Sequence, residues 1–132
     1  MNEEITLQVR GNIKIELMDL LRVENGSRKL IRLPSGFYER LQNALAEIQK
    51  EKAARLMENE ITEYIELGVQ ENDIMIVFKM FFERRFEKIA AVSLYSLGLE
   101  IISQLTEEER EAYEEFHSVS EKLFRTLMGG KI

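Results

Sequence analysis

The residue pattern that comes nearest to a reactive site is Glu114-Glu115-Phe116-His117. It contains Glu-x-x-His, a spacing that places a carboxylate and an imidazole on one helix face, as in di-iron bundles. Such a site needs the motif twice, and His117 is the only histidine. A homodimer would supply a second copy, but the helix carrying it opens on a solvated, Glu-rich face. A nucleophilic triad within one chain would need that same histidine, and no Gly-x-Ser-x-Gly elbow accompanies any serine. Gly129-Gly130 follows a helical pattern rather than preceding one, which excludes a phosphate-cradling loop. Without cysteine there are neither disulfides nor thiolate metal sites. The pattern points to no enzyme, no cofactor and no metal.

Two cationic clusters are the other candidates. Arg84, Arg85 and Lys88 sit within Glu83-Arg84-Arg85-Phe86-Glu87-Lys88, and Arg28, Lys29 and Arg32 lie in a short connector before Pro34. Each reads either as a solvated face with local pairs or as a contact with another subunit or a nucleic acid. Over the whole chain, 24 acidic residues outnumber 18 basic ones, a net charge of -6. That balance excludes a general nucleic-acid-coating protein, which needs a basic footprint.

The elements that carry these residues are helical. One proline, few glycines, 45% apolar and 32% charged residues describe charged helix surfaces around one domain-sized core. The acidic start Met1-Asn2-Glu3-Glu4 has no apolar signal core, and no run reaches membrane-spanning length without charge, so a soluble, cytoplasmic chain is expected. Ile5, Leu7, Val9, Ile13, Ile15 and Leu17 alternate, the period of a strand or hairpin. Leu17-Met18-x-Leu20-Leu21 then turns to helical spacing before Asn25-Gly26-Ser27. The pattern leaves residues 1–24 open between a short helix and a β-hairpin.

From Ser35, expected as an N-cap, the residues Phe37, Leu41, Ala44, Leu45 and Ile48 recur at helical spacing. The stripe slips at Ala53 and resumes from Leu56 to Ile65, which predicts either a bend near residues 49–52 or two abutting helices. Leu67-Gly68 is the expected C-cap, and Asn72 or Asp73 the cap of the next helix. That next helix, from Ile74 towards Leu105, is apolar on nearly every side in its first half and is expected to be the buried centre of a bundle. It is expected to continue to Ser96 or beyond, with Gly98 a kink or stop. Phe81, Phe82, Met75 and Met80 read as core first and interface second. The helix carries more apolar faces than three neighbours would cover, an excess that suggests oligomer formation. Thr106-x-x-Glu109 is a capping box, opening a last helix to about Met128 with Tyr113, Phe116, Leu123 and Leu127 as its stripe. The fold class expected is mainly α: a helical bundle around a central helix, residues 1–128, followed by a tail or linker start at 129–132.

Three segments resemble one family. Leu33-Pro34-Ser35-Gly36-Phe37-Tyr38 resembles the Leu-Pro-x-x-Phe-Tyr segment that opens a main helix in archaeal subunits of the GINS replication complex. Arg85-Phe86-Glu87-Lys88-Ile89 is similar to that family's Arg-x-x-Lys-Ile signature, and Leu105-Thr106-Glu107-Glu108-Glu109 to its Leu-Thr-x-Glu-Glu helix start. They occur in the family's order and span roughly residues 17 to 128. The resemblance implies the subunit class whose helical domain comes first: a non-enzymatic scaffold, nucleoid-associated, in a homo- or hetero-tetramer of GINS subunits. Its partners would be the MCM helicase and a Cdc45/RecJ-like protein, with direct DNA contact left open. It also implies that Phe37 and Tyr38 anchor a helix start. Arg84, Arg85, Lys88, Phe81 and Phe82 become interface candidates, and Arg85→Glu with Lys88→Glu should disturb assembly more than folding. The family usually adds a small β-domain, which in this chain, ending at Gly129-Gly130-Lys131-Ile132, is either cut away or absent. The other reading is an unrelated oligomeric helical binding or regulatory module, and a carboxylate-bridged metal enzyme using His117 is the third.

Overall fold

The computed structural model describes the backbone of residues 3–93 and 102–130, and the side chains of 13–91 and 102–130. It is mainly helical, with no strand among the described residues. Four helices follow in order: α1 (Glu3–Gly26), α2 (Phe37–Met57), α3 (Ile61–Ser93) and α4 (Glu107–Leu127). The expectations for Gly98 and for a helix reaching Ser96 lie outside the described residues. The chain divides into two compact units, one of residues 1–22 and 34–81, the other of 23–33 and 82–132.

In the first unit, three helices each bury one stripe. Ile13 and Leu17 do so on α1, Phe37, Leu41, Ala44 and Ile48 on α2, and Leu67, Ile74 and Phe81 on α3. The α2 stripe has the three-and-four spacing of one helix face, and the α3 stripe recurs every seven residues. Burying the leucine, isoleucine and phenylalanine side chains among these contributes about 1.5–3 kcal/mol each. Phe37 meets Phe81 edge-on with ring centres 6.0 Å apart, and Tyr38 meets Phe78 at 6.4 Å. Among the described residues an ion pair joins each pair of helices at the rim. Arg40 grips Glu16 through two hydrogen bonds of 2.6 and 2.9 Å, Lys14 faces Asp73 at 3.5 Å, and Lys52 reaches Glu71 at 3.1 Å.

The alternating apolar residues near the N-terminus belong to a single helix, α1. Within the described side chains the four-residue step from Ile13 to Leu17 is buried, while Ile15, in phase only with a strand, is exposed. Packing against α2 and α3 selects the helical subset over the local alternation.

The helix breaks also differ from expectation. The α2 helix runs uninterrupted through residues 49–52, and Gly68, Asn72 and Asp73 all lie inside α3. The break falls at Asn59, whose φ of 62° is left-handed. Asn59 N–H donates to the Leu56 carbonyl at 3.1 Å and Glu60 N–H to the Arg55 carbonyl at 2.9 Å, the paired bonds of a Schellman ending. The Arg55 side chain then closes on Glu60 at 2.8 Å. Gly129, at φ 69°, ends α4 with the same two bonds, to Thr126 and, through Gly130, to Arg125. At the start of α2 the N-cap is Gly36, not Ser35. Its φ of 70° and ψ of 18° suit the third position of a turn closed by Phe37 N–H donating to the Pro34 carbonyl, 3.2 Å.

Because a left-handed backbone costs a side chain about 1–2 kcal/mol unless it is glycine or, less severely, asparagine, Asn59→Val should lower the urea unfolding free energy by that order. Asn59→Gly should leave it unchanged or raise it.

Candidate functional site, a buried ion-pair network

The second unit has a small apolar centre of Leu30, Ile89, Leu105 and Tyr113, with Ile102 and Phe116 packed against it. Beside it lies a charged centre. Arg85 is 1% exposed and Glu24 0%, and Lys88 and Glu109 are also buried. The α3 helix supplies both cations, three residues apart and therefore on one face. Glu24 comes from the last turns of α1 and Glu109 from the first turn of α4.

Every donor of the two cations is used. The Arg85 Nε and Nη2 groups form a two-pronged bond to the Glu109 carboxylate, the second prong at 2.9 Å. Nη1 donates to Glu24 Oε1 at 2.6 Å and to the Ile31 carbonyl at 2.7 Å, and Nη2 also donates to the Gln104 carbonyl at 3.1 Å. Lys88 Nζ donates to Glu24 Oε2, to the Glu24 carbonyl at 2.6 Å and to the Lys29 carbonyl at 2.9 Å. Five guanidinium and three ammonium hydrogens thus meet eight acceptors. Glu109 closes the circuit. Its Oε1 also accepts the Thr106 N–H at 2.9 Å, while Glu109 N–H donates to Thr106 Oγ1 at 3.2 Å, the expected capping box.

Two cations and two carboxylates leave the centre electrically neutral, the condition under which burial of charge is tolerable. Burial opposes the charge on Arg85, but Glu109 and Glu24 outweigh it and hold the guanidinium pKa above its ordinary value. Arg85 therefore stays protonated throughout the working pH range. The arrangement clamps three pieces of chain to α3, namely the end of α1, the connector at Lys29–Ile31 and the start of α4. It presents no unpaired donor for a substrate. Its effect within this unit is to hold these pieces of chain in place.

The interface candidates separate accordingly. Phe37 and Phe81 are buried core, and Tyr38 is half-buried beside Phe37 and Phe78. Phe82 is about half exposed and touches Phe86, which meets Phe116 edge-on at 5.1 Å. Arg84 is partly exposed, pairing with Glu87 at 3.5 Å and donating to the Ser27 carbonyl at 3.4 Å. Arg85 and Lys88 are not surface groups, because the carbonyls and carboxylates of their own chain take all their hydrogens. Reversing both charges would place four negative groups together out of water, so the expected order of effects inverts: folding fails first. Arg28, Lys29 and Arg32 are exposed. His117 stacks on Tyr113 at 5.8 Å, with Glu121 at 3.8 Å, and no cluster able to hold a metal ion occurs among the described residues. Nor is any described helix long and apolar enough to cross a membrane.

Glu24 and Glu109 were not singled out by sequence as partners of these cations, although a signal existed. Glu24 lies seven residues beyond buried Leu17, Glu109 four before buried Tyr113, and Arg85 and Lys88 four and seven beyond Phe81. Charges in phase with a buried stripe, on three different helices, must pair with one another.

The chain is thus mainly helical, and a buried ion-pair network is the distinctive feature of its second unit. No family model, curated protein or solved structure matches the chain.

Removing one partner of a buried pair strands the other's charge and costs about 3–5 kcal/mol. Arg85→Met should therefore lower the urea midpoint sharply. Arg85→Lys should rescue only part of the loss, since an ammonium cannot make the two-pronged bond.

Proposed function

We propose that this chain is a non-enzymatic scaffold subunit of a GINS-like complex, one that links to the MCM replicative helicase and stimulates it during DNA replication. The observation that carries the reading is the pairing of Arg85 with Glu109. These residues come from two of the three segments that resemble the family, 24 positions apart, and form one bidentate bond inside the network. Lys88, from the Arg-x-x-Lys-Ile segment, joins the same network, and Thr106 caps the helix on which Glu109 sits. In the third segment Leu33 and Phe37 are both buried. Short motifs that matched by accident would have no reason to converge on one structural device.

A scaffold also needs surface to give to its partners. Ile65, Val69, Met75, Ile76 and Met80 of α3 are exposed, although each is apolar. Exposed apolar residues of this number favour assembly, with further GINS subunits in a homo- or hetero-tetramer and with a Cdc45/RecJ-like protein. They suit an unrelated oligomeric regulator equally well, which would assemble without acting on a helicase.

Light scattering of the chain alone, followed by a DNA-unwinding assay with the MCM helicase of the same organism, separates the two. A multimer that raises unwinding is the expected outcome. An assembly that leaves the helicase unaffected would leave only the regulator reading standing.

A further inference from the structure

The connector at residues 27–33 is held by its backbone and keeps its charges outside. Arg84 donates to the Ser27 carbonyl at 3.4 Å, Lys88 to the Lys29 carbonyl at 2.9 Å and Arg85 to the Ile31 carbonyl at 2.7 Å. Leu30 and Leu33 are buried beneath it, while Arg28, Lys29 and Arg32 are exposed. None of these three side chains pairs with a carboxylate among the described residues, in a chain that has 24 acidic residues. Residues 25–38 are also the longest run of the sequence without an acid. The carboxylates of the elements that hold the connector are engaged elsewhere: Glu24 and Glu109 by Arg85 and Lys88, and Glu87 by Arg84. Glu107 and Glu108, exposed at the start of α4, make no ion pair with the connector among the described residues. Three cations on a backbone that the network pins in place form a preset row for anions.

We propose that this row binds the phosphate backbone of duplex nucleic acid, locally and without regard to sequence. From Arg28 to Arg32 the chain spans at most about 13 Å, and each strand of a duplex offers a phosphate every ~3.4 Å along its axis, so each cation has a phosphate of its own to meet. What the connector lacks narrows the choice of partner. It has no aromatic residue and no exposed apolar one. Protein partners are gripped by buried aromatic and apolar anchors with charges at the rim, and single strands by stacking on aromatic rings. Anionic membrane surfaces are recognised by clusters of about four to eight cations, more than this row holds. Charge alone suffices for the backbone of a duplex, where the release of counterions supplies the affinity. The net charge of -6 confines the contact to this row and keeps it weak. The inference is independent of the function proposed above, since neither assembly nor the helicase enters it.

Fluorescence anisotropy of a short labelled DNA duplex, titrated with the full chain at several salt concentrations, tests it. Three neutralised phosphates give a log–log slope of affinity against salt near about -2.7, so a tenfold rise in salt should weaken binding about 500-fold. Arg32→Ala should lower the affinity and make the slope shallower by about 0.9, and Arg28→Ala combined with Arg32→Ala by about twice that. Lys50→Ala, which removes an exposed cation from α2, should leave the slope unchanged. The melting temperatures of these variants should stay near the parent's, because the substituted side chains are exposed and outside the buried network. No binding at the lowest salt, or a slope that Arg32→Ala does not move, overturns the inference. So does polyglutamate of matched charge binding as tightly as the duplex, which would make the row a contact for an acidic protein segment. If the duplex binds as described but the chain leaves the helicase unaffected, the inference survives without the function proposed above. If unwinding is raised by a chain that binds no duplex, that function survives without the inference.

Discussion

A guanidinium out of contact with water must find a partner for every hydrogen, and the second unit is built around meeting that demand for Arg85. Two carboxylates and two backbone carbonyls do so, and Lys88 imposes a parallel demand on Glu24 and the connector. The consequence reaches well beyond four side chains. The path of residues 29–31 is fixed because their carbonyls are acceptors, and the start of α4 is fixed because its capping residue is also an ion-pair partner. Apolar contacts hold this unit together without direction. The network supplies the direction, at the risk that any missing member leaves a charge stranded.

The first unit solves its problem differently. Three helices interlock through stripes at periods of seven and of three and four, and the charged residues remain at the rim, where each ion pair contributes at most about 1 kcal/mol. The contrast explains why the sequence was easier to read there. Phe37, Leu41, Ala44 and Ile48 declare a helix face by spacing alone, and Thr106 with Glu109 declares a helix start by residue type. Gly129 was equally legible as a stop, since glycine favours the left-handed ending.

Asn59 performs that same ending two helices earlier and is not legible, because asparagine is common in many settings and Gly68 and Asp73 offer stronger signals nearby. The alternation before Leu17 misled for a related reason. Local period-two spacing and the helical step from Ile13 to Leu17 coexist in the same residues, and only packing with α2 and α3 chooses between them. From sequence Arg85 and Lys88 read either as a solvated face or as an interface contact, and the structure buries both. Charged residues are usually on the surface, so burial becomes apparent only when their phase is compared with Leu17, Phe81 and Tyr113.

The internal network gives the second unit a fixed frame. The frame depends on Arg85 and Glu109 acting as one unit, and a double-mutant cycle measures that most directly. Arg85→Met and Glu109→Met would be compared singly and together by urea unfolding. The account predicts strong non-additivity, with the double variant more stable than the sum of the single losses implies by about 2–3 kcal/mol, because neither charge is then left alone. Simple additivity, or single losses no larger than those of a surface pair, would contradict it.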